Sequence, residues 1–286
     1  MEEQAGMYGR SREPEEVKLM CSKTSGKSTF VLSLLRLLDS SSGSITVDGI
    51  NISDIPRSTV RQKCFISVPQ DPFLLADATL RFNVDPNEHY SDEEIVVALK
   101  KAQLWSQFSR TEQNGHQTSS TDPQPTAPNV SEILESTLSA LPQLSTGQQQ
   151  LLSLARAVLR AQPPVLTIPY TDQISAPTQI KPILVLDEAT SSLDEETEAM
   201  IYDIIQQEFT DKGHTVIAIS HRLGALKKGW EKGRDVLVRM VDGRVEWVGD
   251  LGDVIDGVVE GEEGVGGKIR EIEGAGGEDE GQSADE

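Results

Sequence analysis

The chain has 286 residues, with 46 acidic side chains against 26 basic ones and a net charge of −20. That length holds one large domain, or one domain with tails, and 37% hydrophobic residues suffice for a sizeable core in part of it. The charge argues against nucleic acid as a partner, Cys21 and Cys64 allow at most one disulfide and fit a reducing compartment, and no apolar run reaches the roughly 18 residues of a membrane span.

The N-terminus MEEQAGMYGRSREPEE is acidic and polar, unlike a secretory signal; residues 1–12 read as disordered. CSKTSGKSTF (21–30) precedes STFVLSLLRLLD (28–39), which is apolar on a broad helical face. SSSGSITVDGINI (40–52) predicts a turn, a short strand, an Asp-Gly turn and another short strand. CFISVPQDPFLL (64–75) predicts a buried strand running into a Pro-punctuated loop. SDEEIVVALKKAQLW (91–105) predicts a helix, with a Ser cap and acidic residues at its positive end. Residues 109–131 are rich in Ser, Thr, Pro and Gln without an apolar period and read as a flexible insert. QQQLLSLARAVLR (148–160) predicts a helix. Residues 161–182 hold five of the fourteen prolines and read as a second surface insert. ILVLD (183–187) and HTVIAIS (214–220) are apolar enough to be buried on both faces of a parallel sheet, and ETEAMIYDIIQQEF (196–209) predicts a helix between them. Residues 257–286 carry ten acidic residues, nine glycines and only Lys268 and Arg270 as cations; they read as a disordered acidic tail. Strands alternating with helices imply an α/β fold with a mostly parallel sheet, and no internal repeat is visible.

Three stretches carry the chemistry. Gly26-Lys27-Ser28-Thr29 is how a P-loop ends. In such a loop, backbone N–H groups and a positive helix end face phosphate, the Lys reaches the β/γ oxygens and the Ser hydroxyl binds Mg²⁺. ILVLDE (183–188) supplies the partner: Asp187 at the end of a buried strand can hold Mg²⁺ through water, and Glu188 can polarise an attacking water. LSTGQQQLLSLARA (144–157) sets Ser145, Gly147 and Gln148 at another helix start, which again favours phosphate.

Together these residues resemble an ABC-type ATPase, whose signature is normally LSGGQ. Gln70 in SVPQDPF resembles its Q-loop, ATSSLD (189–194) its D-loop, and His221 in ISHRL its switch histidine. The resemblance covers about residues 12 to 250. DIPRSTVRQKCFISVPQDPFLL and ATLRFNVDP look like the C subfamily, the multidrug-resistance-protein type, closest to the second nucleotide-binding domain of fungal members; Glu188 fits the second domain. The implied fold is a P-loop NTPase, an ABC-type ATPase domain over residues 13–256 with a helical signature subdomain around 91–160.

The resemblance implies ATP and Mg²⁺ as cofactors. Ser25, Gly26, Lys27, Ser28 and Thr29 would bind phosphate. Ser28, Gln70 and Asp187 would bind the metal. Glu188 would be the base, with Gln70, His221 and Lys27 as the other catalytic groups. Ser145, Gly147 and Gln148 would serve the ATP of a second nucleotide-binding domain, docked head to tail. A transmembrane domain on another polypeptide would move the substrate, which sets the chain on the cytoplasmic face of a membrane, or soluble in the cytoplasm if it stands alone.

Four departures from the family pattern bear on activity. The family reads CGRTGSGKST where this chain reads CSKTSGKST, one residue shorter and two glycines poorer. A non-glycine residue forced into a left-handed angle costs about 1–2 kcal/mol, and the expected loss of ATP affinity is on the order of tenfold to several hundredfold. Only about twenty residues precede the P-loop, and Tyr8, the sole candidate to stack on adenine, reads rather as a solvated side chain in a polar tail. Ser145 and Asp187 lie 42 positions apart, a length a surface loop absorbs at small entropic cost. Without membrane helices, the chain is expected to be a separate subunit, a degenerate copy or an incomplete gene product. A non-catalytic protein that docks on other nucleotide-binding domains, or a truncated remnant with impaired ATP binding, is the alternative reading. An ATPase of DNA repair or chromosome structure fits poorly, for want of coiled coils or a nucleic-acid surface.

Overall fold

The computed structural model describes residues 16–21, 26–110, 129–161, 165–166, 178–220 and 234–249. Its first strand, β1 (Glu16–Cys21), runs toward the loop that ends at Gly26, and α1 (Lys27–Leu34) follows. A hairpin of β2 (Thr46–Val47) and β3 (Ile50–Asn51) turns on Asp48-Gly49, both at positive φ, as the Asp-Gly pair predicts. A short helix α2 (Arg57–Thr59) passes into a π-helical turn, Val60–Cys64, and then β4 (Phe65–Val68). Burial raises the Cys64 thiol to about 11, with the Asp48 carboxylate adding to the shift, so this sulfur is an inert part of the packing.

The helical part begins with α3 (Leu80–Val84) and α4 (Asp92–Lys101). Ser91 and Glu94 form a reciprocal capping box at the start of α4, the expected device. The helix expected over 91–105 stops at Lys101, because Gln103 takes φ 59°; α5 (Trp105–Arg110) is a separate helix. After residues 111–128 come α6 (Val130–Glu135), capped by Asn129, and α7 (Thr146–Arg160). Both margins of the expected insert at 109–131 are thus helical.

The 161–182 segment also departs from expectation at its margins. β5 (Val165–Leu166) pairs antiparallel with β6 (Thr178–Gln179). Ala161 and Ile180 are buried, and the Pro182 carbonyl lies 2.9 Å from Nδ1 of buried His214. The last residues of this stretch therefore belong to the packed body. The chain closes with β7 (Ile183–Asp187), α8 (Glu195–Glu208), β8 (Val216–Ser220), β9 (Val236–Val241) and β10 (Arg244–Gly249).

The central sheet has the order β10-β9-β1-β8-β7-β4 and is parallel throughout except for the β9–β10 hairpin. Alternate residues of its strands feed two cores. Leu184, Leu186, Ala218 and Ile66 join the helices α4, α7 and α8 on one face. Val185, Ile217, Ile219 and Phe65 join Val31 and Leu34 of α1 on the other. Burial on both faces is why these strands read as unbroken apolar runs. Helix α1 is shorter than the run 28–39 suggested. Arg36 adopts φ 49° and donates to the carbonyls of Ile52 and Ile55, so the chain turns away and leaves Leu37 and Leu38 exposed.

Candidate functional site

Four strands, β4, β7, β8 and β1, lie side by side and parallel, so all four end at one sheet edge. Whatever the sequence places just after each strand leaves from that edge, where ligands bind in open α/β sheets. Gly26–Thr29 follow β1, Asp187 ends β7 and Glu188 continues from it, and Gln70 lies two residues beyond β4. His221 follows Ser220, the last residue of β8; it and Ser25 lie outside the described residues, as does Tyr8.

Gly26 precedes the first turn of α1 at φ 83° and ψ 15°. That angle suits glycine, and the position is tight as well: a Cβ would stand 3.2 Å from the Gly243 Cα in the β9–β10 turn. Ser28 and Thr29 are exposed in the first turn. The Lys27 ammonium forms an ion pair with Glu188 Oε1, joining two motifs 161 positions apart, and both side chains are largely buried, at 13% and 16% exposure. Glu188 itself takes φ 51°, an uncommon angle for a non-glycine residue. Its N–H donates to the Ile219 carbonyl at 3.1 Å, and its carbonyl accepts from the Ser191 N–H at 3.1 Å.

Asp187 is half-buried. Burial raises its pKa, the Glu188 carboxylate beside it raises it further, and the Lys27 ammonium partly offsets both. Gln70 is exposed. The carbonyl of Pro69, just before it, accepts from Gln150 Nε2 at 2.8 Å, and the same nitrogen donates to the Ala189 carbonyl at 2.8 Å. Gln150 is 2% exposed, so one side-chain amide of α7 ties the base of the Gln70 loop to the turn after Glu188. Sequence reasoning missed it. The available signal was a polar residue in register with Leu154 and Ala157 on the apolar face of α7.

Ser145, Gly147 and Gln148 lie at the start of α7. Ser145 caps α7, accepting the Gln148 N–H at 3.2 Å, while Gln148 Oε1 accepts the Ser145 N–H at 2.9 Å. Gln107 of α5 donates to the same Oε1 at 3.3 Å. Gly147 is buried against α8: a Cβ there would meet Thr197 Cγ2 at 2.7 Å. Asp194 caps α8, bonding the Thr197 N–H and hydroxyl, and those hydrogen bonds hold its pKa below the usual carboxylate range.

The donor set fits a nucleotide phosphate with a hard divalent cation. Glu188 is an anion already seated on Lys27 where a phosphate oxygen would be held. Ser28, Gln70 and Asp187 offer a hydroxyl, an amide and one carboxylate, which suits Mg²⁺ retaining its waters and shared with phosphate. No cluster of three His, Cys, Asp or Glu residues that would build a closed metal cage occurs among the described residues.

Comparison with known proteins identifies the family and the fold. The family model described as ABC transporter matches residues 11–168. ABC transporter atnG of Emericella nidulans is 33% identical over 222 residues, 76% of this chain and 11% of that protein. The pleiotropic ABC efflux transporter of multiple drugs YBT1 of Candida glabrata is 36% identical over 74% of this chain and 11% of its own length. Bile pigment transporter 1 of Saccharomyces cerevisiae is 35% identical over 73% of this chain and 12% of its own length. The chain therefore spans about a tenth of the length of these relatives. A bacterial Atm1-family ABC exporter with ATP bound has the same fold, with a TM-score of 0.61 and 22% identity over 93% of this chain and 38% of that one.

Proposed function

This chain belongs to the ABC transporter family, and we propose that it binds Mg-ATP and hydrolyses it as the second nucleotide-binding domain of a C-subfamily transporter. The observation that carries the reading is the Lys27–Glu188 pair at the edge where β1, β8, β7 and β4 end. It sets the lysine of the Gly-Lys-Ser-Thr stretch against the glutamate that follows the apolar strand ending in Asp187, which supports the reading.

In this reading the α1 start presents N–H groups, Lys27 and the Ser28 and Thr29 hydroxyls to phosphate. Bound Mg²⁺ would supply neutralising charge for the phosphate oxygens. Asp187, with Ser28 and Gln70, would hold it. Glu188 would take the proton of the attacking water once Lys27 turns to phosphate, and His221 would contact the terminal phosphate. The Ser145–Gln148 turn would face the ATP of a second such domain, head to tail, and a membrane domain would use the cycle to move substrate. The site would then lie on the cytoplasmic face of the membrane. No helix among the described residues is long and apolar enough to cross one. Names such as multiple-drug efflux and bile-pigment transport among the relatives support an export role.

Calorimetry of Mg-ATP with the purified chain, and with Lys27→Ala as control, tests the reading. Binding between micromolar and low millimolar that the control abolishes is the expected result. Absence of binding up to several millimolar would overturn it in favour of a non-catalytic partner of other nucleotide-binding domains.

A further inference from the structure

Two buried amides of this chain make different connections. Asn83 of α3 stitches its own neighbourhood. Its Oδ1 accepts the Leu75 N–H at 2.8 Å, and its Nδ2 donates to the carbonyls of Leu75 and Thr79, at 2.8 and 3.0 Å. These partners all lie within eight positions of it, so the amide fixes a local turn. Gln150 of α7, equally buried, reaches 81 positions back to Pro69 and 39 forward to Ala189. Both targets are carbonyls, so the group that faces them is the NH₂, and both of its N–H bonds are committed. Its Oε1 is buried and meets no donor among the described residues. An unpartnered buried oxygen destabilises the fold, and a leucine would join the surrounding apolar cluster without one. Packing alone does not explain an amide here; its two carbonyl targets do.

Those targets lie where β4 and β7 stop guiding each other. The parallel register of the two strands runs from Phe65–Ile183 to Val68–Leu186, and no further residue pair joins them. Beyond it, one chain continues through Pro69 to Gln70 and the other through Asp187 and Glu188 to Ala189. The Pro69 carbonyl and the Gln70 N–H belong to one planar peptide unit, so a bond to that oxygen orients the start of Gln70. The Ala189 carbonyl comes directly after Glu188, inside the turn that the Ser191 N–H closes on the Glu188 carbonyl at 3.1 Å. A single nitrogen holds both oxygens, so they cannot separate by more than two hydrogen-bond lengths.

We propose that Gln150 is a positioning residue for phosphate transfer: by tying Pro69 to Ala189 it sets the spacing between Gln70, on the metal, and Glu188, on the attacking water. The proposal rests on the Mg-ATPase reading above and gives Gln150 no contact with nucleotide. Gln70 and Glu188 must act on one phosphate from two separate loops, and a misplacement of about 1 Å between such groups costs on the order of a hundredfold in rate. Ground-state binding through Lys27 and the α1 start does not pass through Gln150. The role therefore shows in kcat and not in KM.

Steady-state phosphate release by the full chain tests it. Gln150→Met keeps the volume and removes both donors; kcat should fall about tenfold or more, while KM and calorimetric Mg-ATP affinity stay within about threefold. Gln150→Asn, which draws the amide back by one methylene, should do the same. In a Gln70→Ala background the loss should be at least about threefold smaller, because the spacing no longer has two ends to set. An unchanged kcat, a KM raised in step with the loss, or an equal loss in both backgrounds would overturn the proposal. Hydrogen exchange without nucleotide reads the tie apart from turnover. Segments 69–75 and 188–193 should both exchange about threefold faster or more in Gln150→Met, with β9 as in the wild type. Faster exchange throughout, in one segment alone or in neither also overturns it. A wild-type chain that neither binds Mg-ATP nor releases phosphate would instead sink the functional reading, and the exchange result would then decide the tie by itself.

Discussion

Helix α1 begins at Gly26, which has no side chain with which to cap it, whereas α7 begins at Ser145, whose hydroxyl accepts the Gln148 N–H while Gln148 returns the bond. Both starts contain a glycine, and both concentrate the partial positive charge of a helix end. At α1 that charge is left for an anion, and Lys27 beside it already holds the Glu188 carboxylate. At α7 it is spent on the chain's own side chains, and Gly147 packs on Thr197 of α8. One device thus serves two ends: the α1 start keeps its cation on Glu188, while the α7 start gives its first N–H groups to its own capping box.

The largest expected effect lies at the α1 start. Glu188→Gln should lower steady-state phosphate release by about a hundredfold or more while leaving calorimetric Mg-ATP affinity within about threefold. Retained turnover would remove the chemical half of the contrast. Next, Gly147→Ala drives a Cβ to 2.7 Å from Thr197 Cγ2. It should cost about 1–3 kcal/mol in urea unfolding. Adding Thr197→Ser, which deletes the clashing methyl, should recover more than half of the loss; no recovery would mean that the glycine serves something other than this packing.

A smaller loss, about 1–2 kcal/mol, is expected for Gly26→Ala, from its φ of 83° and the nearby Gly243. An unchanged unfolding midpoint would show that the α1 start relaxes freely. The smallest effect is Ser145→Ala, which opens the capping box for about 1 kcal/mol of stability. The lone chain should bind Mg-ATP as before. A weaker affinity in that variant would break the contrast directly, by making the α7 start part of the chain's own site.

Much of the site was legible because its motifs are local. Gly-Lys-Ser-Thr at a helix start, an apolar strand ending in Asp-Glu and Ser-x-x-Gln before an amphipathic helix each need only a few adjacent residues. The strands β4, β7 and β8 were legible because burial on both faces leaves continuous apolar runs. The stop at Lys101 was not, because the turn depends on Gln103 adopting φ 59°, which no sequence period encodes. Nor was the end of α1, which Arg36 decides by reaching carbonyls of Ile52 and Ile55 far along the chain. Gln150 escaped notice because a buried glutamine looks like any surface glutamine until the carbonyls of Pro69 and Ala189 stand on either side of it.

By itself the sequence determined which residues could hold phosphate, metal and proton, since charge, hydroxyl and glycine freedom are properties of single residues and short spacings. It also determined the alternation of strands and helices, through apolar periodicity. Only the tertiary structure decided that Lys27 and Glu188 meet and that β4, β7, β8 and β1 end at one edge. Those are juxtapositions of segments tens to more than a hundred residues apart, and strand order and packing fix them, not any local preference of the chain.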